Sequence, residues 1–191
     1  MGNLSALALI FCSLLMALPS TATSKVTDKE EEVWFQRLCK GKEKVAKLHF
    51  YIQDALSNPN ATVYEVARST LTSTSSTSFG QVMVIDDKIT EGPHHNSKEL
   101  GRIQGIITSS DLRVLAYTLN LNIVFTAGKY NSSTLHVLGR NQILDTKREL
   151  AIVGGTGVFA MARGRYIQNT YSFDPIANYG VLECIIYVAY V

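Results

Sequence analysis

Residues 122–141 read NIVFTAGKYNSSTLHVLGRN, residues 149–166 read ELAIVGGTGVFAMARGRY, and residues 182–190 read LECIIYVAY. Short runs with an apolar side chain at every second position are cut by Gly, Asn and Ser. A period of two puts alternate side chains on opposite faces of an extended strand, so this third of the chain is sheet. The stretch just upstream has the cleanest pattern. Leu115, Tyr117, Leu119, Leu121, Ile123 and Phe125 alternate with Ala116, Thr118, Asn120, Asn122, Val124 and Thr126.

Outward from there the same period recurs. It begins at Val45, where Leu48, Phe50 and Ile52 face one way and His49, Tyr51 and Gln53 the other. Further strands are predicted over residues 63–68, 81–85, 102–108, 134–138, 150–153, 158–173 and 181–191, the 158–173 segment bending or splitting near Gly164. Residues 73–78 are a Ser/Thr run with no apolar anchor and read as a mobile loop. Residues 87–99 hold Thr90-Glu91-Gly92-Pro93, a turn signal. No segment has a long helical period. Regularly spaced strands predict a sandwich or barrel, and a barrel leaves no exposed edges.

Residues 1–24 read as a signal peptide. The run 4–18 is apolar and uncharged, short for a membrane span, and followed by the small-x-small site Ala22-Thr23-Ser24. The first residues carry no Lys or Arg, and a signal anchor is the alternative. Removal leaves about 167 residues, enough for one domain with a sizeable core. Residues 25–44 form a charged N-terminal arm with one helical turn around Trp34 and Phe35, and residues 45–191 form the barrel domain. A net charge of +2 without a Lys/Arg cluster predicts neither nucleic-acid binding nor membrane adhesion. The chain is expected to be exported to the extracellular space.

Cys12 lies in the leader, so Cys39 and Cys184 remain. In an oxidising compartment an even pair reads as one disulfide; two free buried thiols are the alternative. Asn60-Ala61-Thr62 and Asn131-Ser132-Ser133 are glycosylation sequons, each used or simply unoccupied.

Gly155-Thr156-Gly157-Val158-Phe159-Ala160 satisfies the letters of a dinucleotide fingerprint. That fingerprint needs a helix directly after the glycines, and here the two-residue rhythm continues. A tight Gly turn between strands is the better reading. His94-His95 has no partners at ligand spacing, so neither a metal nor any other cofactor is expected. No nucleophile elbow is present. What remains is acid chemistry. Asp54 closes the first strand, Asp86-Asp87 follows the third, and Arg148 enters the seventh. A carboxylic acid in an apolar mouth keeps its proton to higher pH, and an Arg nearby stabilises a developing phenolate. A strand-end Asp is more often a turn or cap residue.

Several blocks together resemble the plant dirigent protein family. They are Leu48-His49-Phe50-Tyr51-Ile52-Gln53-Asp54, Ile85-Asp86-Asp87, Thr90-Glu91-Gly92-Pro93, Phe125-Thr126, Leu138-Gly139-Arg140-Asn141, Gly154-Gly155-Thr156-Gly157 and Leu182-Glu183-Cys184. They run in order along residues 45–191. The resemblance implies an eight-stranded antiparallel β-barrel that assembles as a homo-oligomer, usually a trimer, in the apoplast. It implies Asp54 as acid, Arg148 as its cationic partner, and Asn141 and Thr170 on the substrate wall. Asn141 stands where lignan-forming members carry a second acid, and it cannot donate a proton as one. The Leu138–Asn141 block is similar to that of the disease-response branch, which includes pterocarpan-forming members.

Three functions follow from the resemblance. The first is stereoselective guidance of phenoxy-radical coupling, from monolignols to optically active lignan-type products. A separate laccase or peroxidase supplies the radicals, and the barrel oxidises nothing itself. The second is a lyase that dehydrates an isoflavanol through a quinone methide. The third is a wall or defence protein that binds phenolics without steering them.

Overall fold

The computed structural model describes residues 28–57 and 59–191. The predicted leader, with Cys12, and the start of the arm lie outside the described residues, as does Asn58. The chain divides into two compact units, the second being Leu38–Val191.

Helix α1, Asp28–Cys39, has twelve residues where one turn was expected. Its segment DKEEEVWFQRLC has no Gly or Pro and only one β-branched residue. Acidic residues crowd its first turns and Arg37 sits in its last, which complements the helix dipole. Gln36 Nε2 donates to Glu32 Oε1 at 3.3 Å, one turn away.

The strands are β1 (Lys44–Ala55), β2 (Val63–Ala67), β3 (Val82–Thr90), β4 (Glu99–Ser109), β5 (Ala116–Phe125), β6 (Thr134–Gln142), β7 (Arg148–Thr156), β8 (Arg163–Asp174) and β9 (Tyr179–Tyr190). They form one sheet in the order β1-β9-β8-β7-β6-β5-β4-β3-β2, with an additional pairing of β1 with β3. That pairing, Tyr51↔Thr90, Ile52↔Ile89 and Gln53↔Lys88, closes the ring. The ring is the expected eight-stranded antiparallel barrel, made of β1 and β3 to β9. β2 continues the line of β1 along β3. The chain leaves β3 after Gln53, makes an excursion, and rejoins at Val63↔Ile85. The Thr62 N–H donates to Ala55 O at 2.8 Å, and the Asp86 N–H to Thr62 O at 2.9 Å, pinning the base of the excursion.

The barrel interior is the core. Leu119, Leu121, Ile123 and Phe125 on β5 are buried as their alternation predicts, and so are Leu48, Phe50 and Ile52 on β1. Each such side chain contributes about 1.5–3 kcal/mol on burial. Gln53 faces outward as expected but is buried too. The turn after β3 folds over it: Gln53 Nε2 donates to Thr90 Oγ1 at 2.8 Å, and Tyr179 Oη donates to Gln53 Oε1 at 2.8 Å.

One end of the barrel is plugged by aromatic rings. Phe125, Tyr130, Phe159 and Tyr190 pack with centroids 4.7–5.8 Å apart. The ammonium groups of Lys129 and Lys44 lie over the Tyr130 and Tyr190 rings, 4.6 and 5.8 Å from their centroids. The other end is open, and the polar inward residues gather there.

Three further expectations are corrected. The 158–173 segment is not strand throughout. Gly157–Phe159 is a 3-10 turn, and β8 starts only at Arg163. Gly157 takes φ +62, and a Cβ there would stand 2.7 Å from Ser133 Oγ. The glycines therefore make a turn between antiparallel strands. Residues 73–78 lack apolar anchors but are pinned by hydroxyls. Thr77 Oγ1 donates to Asp111 O at 2.6 Å, and Ser109 Oγ donates to Thr77 O at 2.7 Å. Finally, Cys39 and Cys184 are free thiols, not a disulfide. The inward register of β9 seals Cys184 in the core, where its Sγ lies 3.0 Å from Tyr166 Oη, while Cys39 is exposed.

Candidate active site

The open end of the barrel holds a cavity of about 440 Å³. Its wall is mostly aliphatic, with Ile52, Ile85, Ile103, Leu119, Leu121 and Leu182 among the lining residues. Into this surface project Asp54 from β1, Asp87 from β3, Asn141 from β6, Arg148 from β7, and Gln168 and Thr170 from β8. Each continues the inward alternation of its strand. Asp54 follows Leu48, Phe50 and Ile52, and Arg148 precedes Leu150 and Ile152. All four residues expected at the site, Asp54, Arg148, Asn141 and Thr170, line this one cavity.

Asp54 is partly buried, and its Oδ1 is enclosed without a hydrogen-bond partner. Burial raises its pKa to about 6. Asp87 is buried, 3% exposed. Its Oδ1 accepts a hydrogen bond from Thr62 Oγ1 at the foot of the excursion. Burial raises its pKa to about 8, the nearby Asp54 carboxyl adds to the rise, and the Thr62 hydrogen bond opposes it. Both effects follow from the cost of a charge in an apolar, low-dielectric wall.

Arg148 is 6% exposed. Register places it opposite Gln168. Its guanidinium donates through Nε to Gln168 O at 3.4 Å, through Nη1 to Ile143 O at 3.3 Å, and through Nη2 to Thr170 Oγ1 at 2.9 Å. Burial lowers its pKa, yet a guanidinium keeps its proton in proteins. All three hydrogen-bond partners are neutral; the nearest compensation by a carboxylate is the electrostatic interaction with Asp145, which favours the charged form. Thr170 anchors the guanidinium as well as lining the cavity.

Two further side-chain oxygens are enclosed with no partner, Asn141 Oδ1 and Gln168 Oε1. Buried polar atoms are seldom left unpaired, and both belong to cavity-lining residues, ready for a ligand hydroxyl. Tyr117, the register partner of Asn141, adds a phenol whose pKa is raised by burial and then by Asp54.

Sequence reasoning passed over Gln168 and Tyr117. It weighed Asp87 as an acid beyond the third strand and kept it out of the site. The strand runs on to Thr90, and Ile85-x-Asp87-x-Ile89 continues its inward set. Extending the two-residue period through the charged pair would have found it. Asn60 and Asn131 are exposed and lie off the cavity wall. Among the described residues no three His, Cys, Asp or Glu side chains gather as metal ligands do.

The arrangement can hold a multi-ring, largely apolar molecule, give it a proton from a carboxyl, and stabilise an oxygen anion with a guanidinium. The family model described as Dirigent-like protein matches residues 45–189. Dirigent protein 1 of Arabidopsis thaliana is 40% identical over 178 residues, which cover 92% of this chain and 93% of that protein. Pterocarpan synthase 1 of Glycyrrhiza echinata is 38% identical over 147 residues, 76% of this chain and 78% of that protein. The solved structure of a pterocarpan synthase dirigent protein superposes with a TM-score of 0.73 at 37% identity, covering 78% of this chain and 92% of that one. With a matching family model over nearly the whole barrel and relatives of this identity and coverage, the chain belongs to the dirigent family.

Proposed function

We propose that the barrel binds a multi-ring phenolic as its quinone methide and steers ring closure along one stereochemical course. The observation that carries this reading is one cavity that joins an apolar wall, carboxyls held above their ordinary range, and an Arg148 guanidinium whose hydrogen bonds all go to neutral acceptors. A volume of about 440 Å³ suits one drug-sized ligand. A quinone methide becomes strongly electrophilic when its carbonyl oxygen takes a proton. An internal hydroxyl then attacks the exocyclic carbon, and the cavity wall decides which face it meets. Arg148 stabilises the phenolate character of the oxygen.

In the first reading the quinone methide arises from coupling of two phenoxy radicals. A separate laccase or peroxidase makes the radicals, and the protein guides monolignols to optically active lignan-type products without oxidising them. Family membership supports this. In the second reading an isoflavanol loses water to give the quinone methide, which closes to a pterocarpan. Similarity to pterocarpan synthases supports it, as does Asn141 in place of an acid.

Chiral chromatography tests both. Coniferyl alcohol is treated with a one-electron oxidant, with and without the protein. An enantiomeric excess that depends on the protein is the expected result. A racemate, with turnover of an isoflavanol in the absence of oxidant, establishes the second reading instead. A racemate with no dehydration, and quenching of protein fluorescence by many phenolics alike, overturns both and leaves a non-steering phenolic-binding wall protein.

Export to the apoplast, glycosylation at the exposed Asn60 and Asn131, and a homotrimer belong to the same proposal. Export would place the barrel where laccases and peroxidases generate radicals. A glycosidase-sensitive mobility and a scattering mass of three chains are the expected signs.

A further inference from the structure

Ring closure of a quinone methide needs two proton movements. The carbonyl oxygen gains a proton, and the attacking hydroxyl loses one as its C–O bond forms. The exocyclic C=C becomes a single bond, the ring regains aromaticity, and the net proton count is unchanged. The two oxygens lie at opposite ends of the quinone methide ring, too far apart for one carboxyl to serve both. Two carboxyls that hold one proton between them can do both.

Asn141 can supply neither group. The open end nevertheless holds two carboxyls on adjacent strands. Asp54 on β1 and Asp87 on β3 both line the cavity, and β1 and β3 pair just before them, at Gln53↔Lys88. There the strands part to admit the excursion, and Thr62 returns to bond Asp87 Oδ1. One oxygen of Asp87 is thus committed to Thr62, and Asp54 Oδ1 is enclosed without a partner. The excursion that interrupts the barrel seam is what leaves room for two acids side by side. We propose that Asp87 is the second acid of this cavity, paired with Asp54 so that the two hold one proton between them, with Thr62 fixing the orientation of Asp87. This rests on the quinone-methide reading of the site.

The groups around the pair are consistent with a shared proton. Three phenols interact with it: Tyr117 on β5 with Asp54, Tyr166 on β8 with Asp87, and Tyr179 on β9 with both. These are neutral near pH 7. Of the charged neighbours, Arg102 on β4 lowers the Asp87 pKa and Asp86, next in chain, raises it. Those two bond each other on the outer face, Arg102 Nε donating to Asp86 Oδ1 at 2.6 Å. Arg148 lies on β7, four strands from β3 in either direction around the ring. Burial and mutual repulsion raise Asp87 above Asp54. Near neutrality the pair holds one proton and one charge, so one carboxyl can give while the other takes.

Infrared spectroscopy of protein carrying ¹³C-labelled aspartate, titrated with pH, tests the pair without any substrate. One protonated carboxyl band is expected at pH 7, lost as pH rises through about 8. Asp87→Asn removes the band at pH 7. Asp54→Asn moves its loss to lower pH, because the neighbouring charge is gone. Thr62→Val moves it to higher pH, because the hydrogen bond that favours the charged form is gone. The Thr62 variant keeps both acids and decides the matter even if Asp87→Asn fails to fold. Absence of the band in wild-type protein at pH 7, or a loss unmoved by both Asp54→Asn and Thr62→Val, overturns the pair. With a quinone methide supplied, Asp87→Asn slows protein-dependent closure roughly a hundredfold, the scale of general acid–base catalysis. An undiminished rate also overturns the proposal. If wild-type protein closes no phenolic quinone methide while the band behaves as described, the functional reading fails and the shared proton stands.

Discussion

A carboxyl that is to hold its proton well above the ordinary range cannot sit in water, where an aspartate ionises near pH 4. Asp54 and Asp87 escape that fate because each occupies a position that strand alternation would give to an Ile or Leu. Asp54→Asn therefore keeps shape and packing but cannot exchange a proton. Protein-dependent ring closure is expected to fall by roughly 10²-fold, while phenolic binding, read by fluorescence quenching, stays near wild type. Undiminished closure would remove Asp54 from the chemistry. Arg148 has a double role. Its guanidinium satisfies Gln168 O, Ile143 O and the Thr170 hydroxyl, so Arg148→Leu removes one buried and two part-buried hydrogen bonds, the buried one at a cost of about 1–3 kcal/mol. A lower thermal midpoint and lost turnover are expected together. Arg148→Lys should retain part of the charge effect and lose the forked geometry.

At the scale of elements, the seam between β1 and β3 matters most. Three register pairs close the barrel there, and the chain excursion with β2 takes over the rest of the β3 edge. The opposite side is more regular: β1 and β9 pair without interruption from Lys44↔Tyr190 to Ala55↔Tyr179. β8 meets β9 as closely at Gly164, where an added Cβ would lie 2.1 Å from Tyr187 O. Gly164→Ala must displace one strand from the other. A loss of about 1–3 kcal/mol is expected, and a domain of this size loses about 2–4 °C of thermal midpoint per kcal/mol. A midpoint within error of wild type would show that the strands part there at little cost. The free thiols give an element-level check as well. Of Cys39 and Cys184, only Cys39 should react with a thiol reagent in the folded barrel, and both should react in denaturant. Failure of both to react in denaturant without reductant would mean a disulfide after all.

For the molecule as a whole, the two raised acids set a pH dependence. A carboxyl whose folded pKa exceeds its unfolded value binds its proton more tightly when folded. It favours folding fully below about pH 4, and that contribution is lost as pH rises through about 6 for Asp54 and 8 for Asp87. The thermal midpoint should decline from pH 5 to pH 9, and Asp87→Asn should flatten the decline and raise stability at the alkaline end. A midpoint independent of pH over that range would contradict the raised values. A barrel plugged by aromatic rings at one end can carry such a cost at the other.

The sequence by itself determined what depends on local period and local chemistry. Alternation in residues 115–126 and in β1 fixed which side chains enter the core, because a strand offers only two faces. The glycines at 155–157 were legible as a turn between strands and not a dinucleotide loop, although the two-residue rhythm expected straight after them resumes only at Arg163. The ordered blocks fixed the family and brought Asp54, Asn141, Arg148 and Thr170 forward together. Helix α1 was half-legible, since its acidic start and basic end mark a helix but not its length. Contacts between residues far apart in the chain were decided only by the tertiary structure. Cys39 and Cys184 have the count of a disulfide, yet the inward register of β9 gives Cys184 to Tyr166. The Ser/Thr run from 73 to 78 found its anchors in hydroxyl bonds to Asp111 and Ser109. Asp87 reads as a turn acid until β3 runs three residues past it, Thr62 comes back to bond it, and ring closure sets it beside Asp54. Whether a carboxyl is solvated or enclosed depends on what folds over it, and no local pattern of residues carries that.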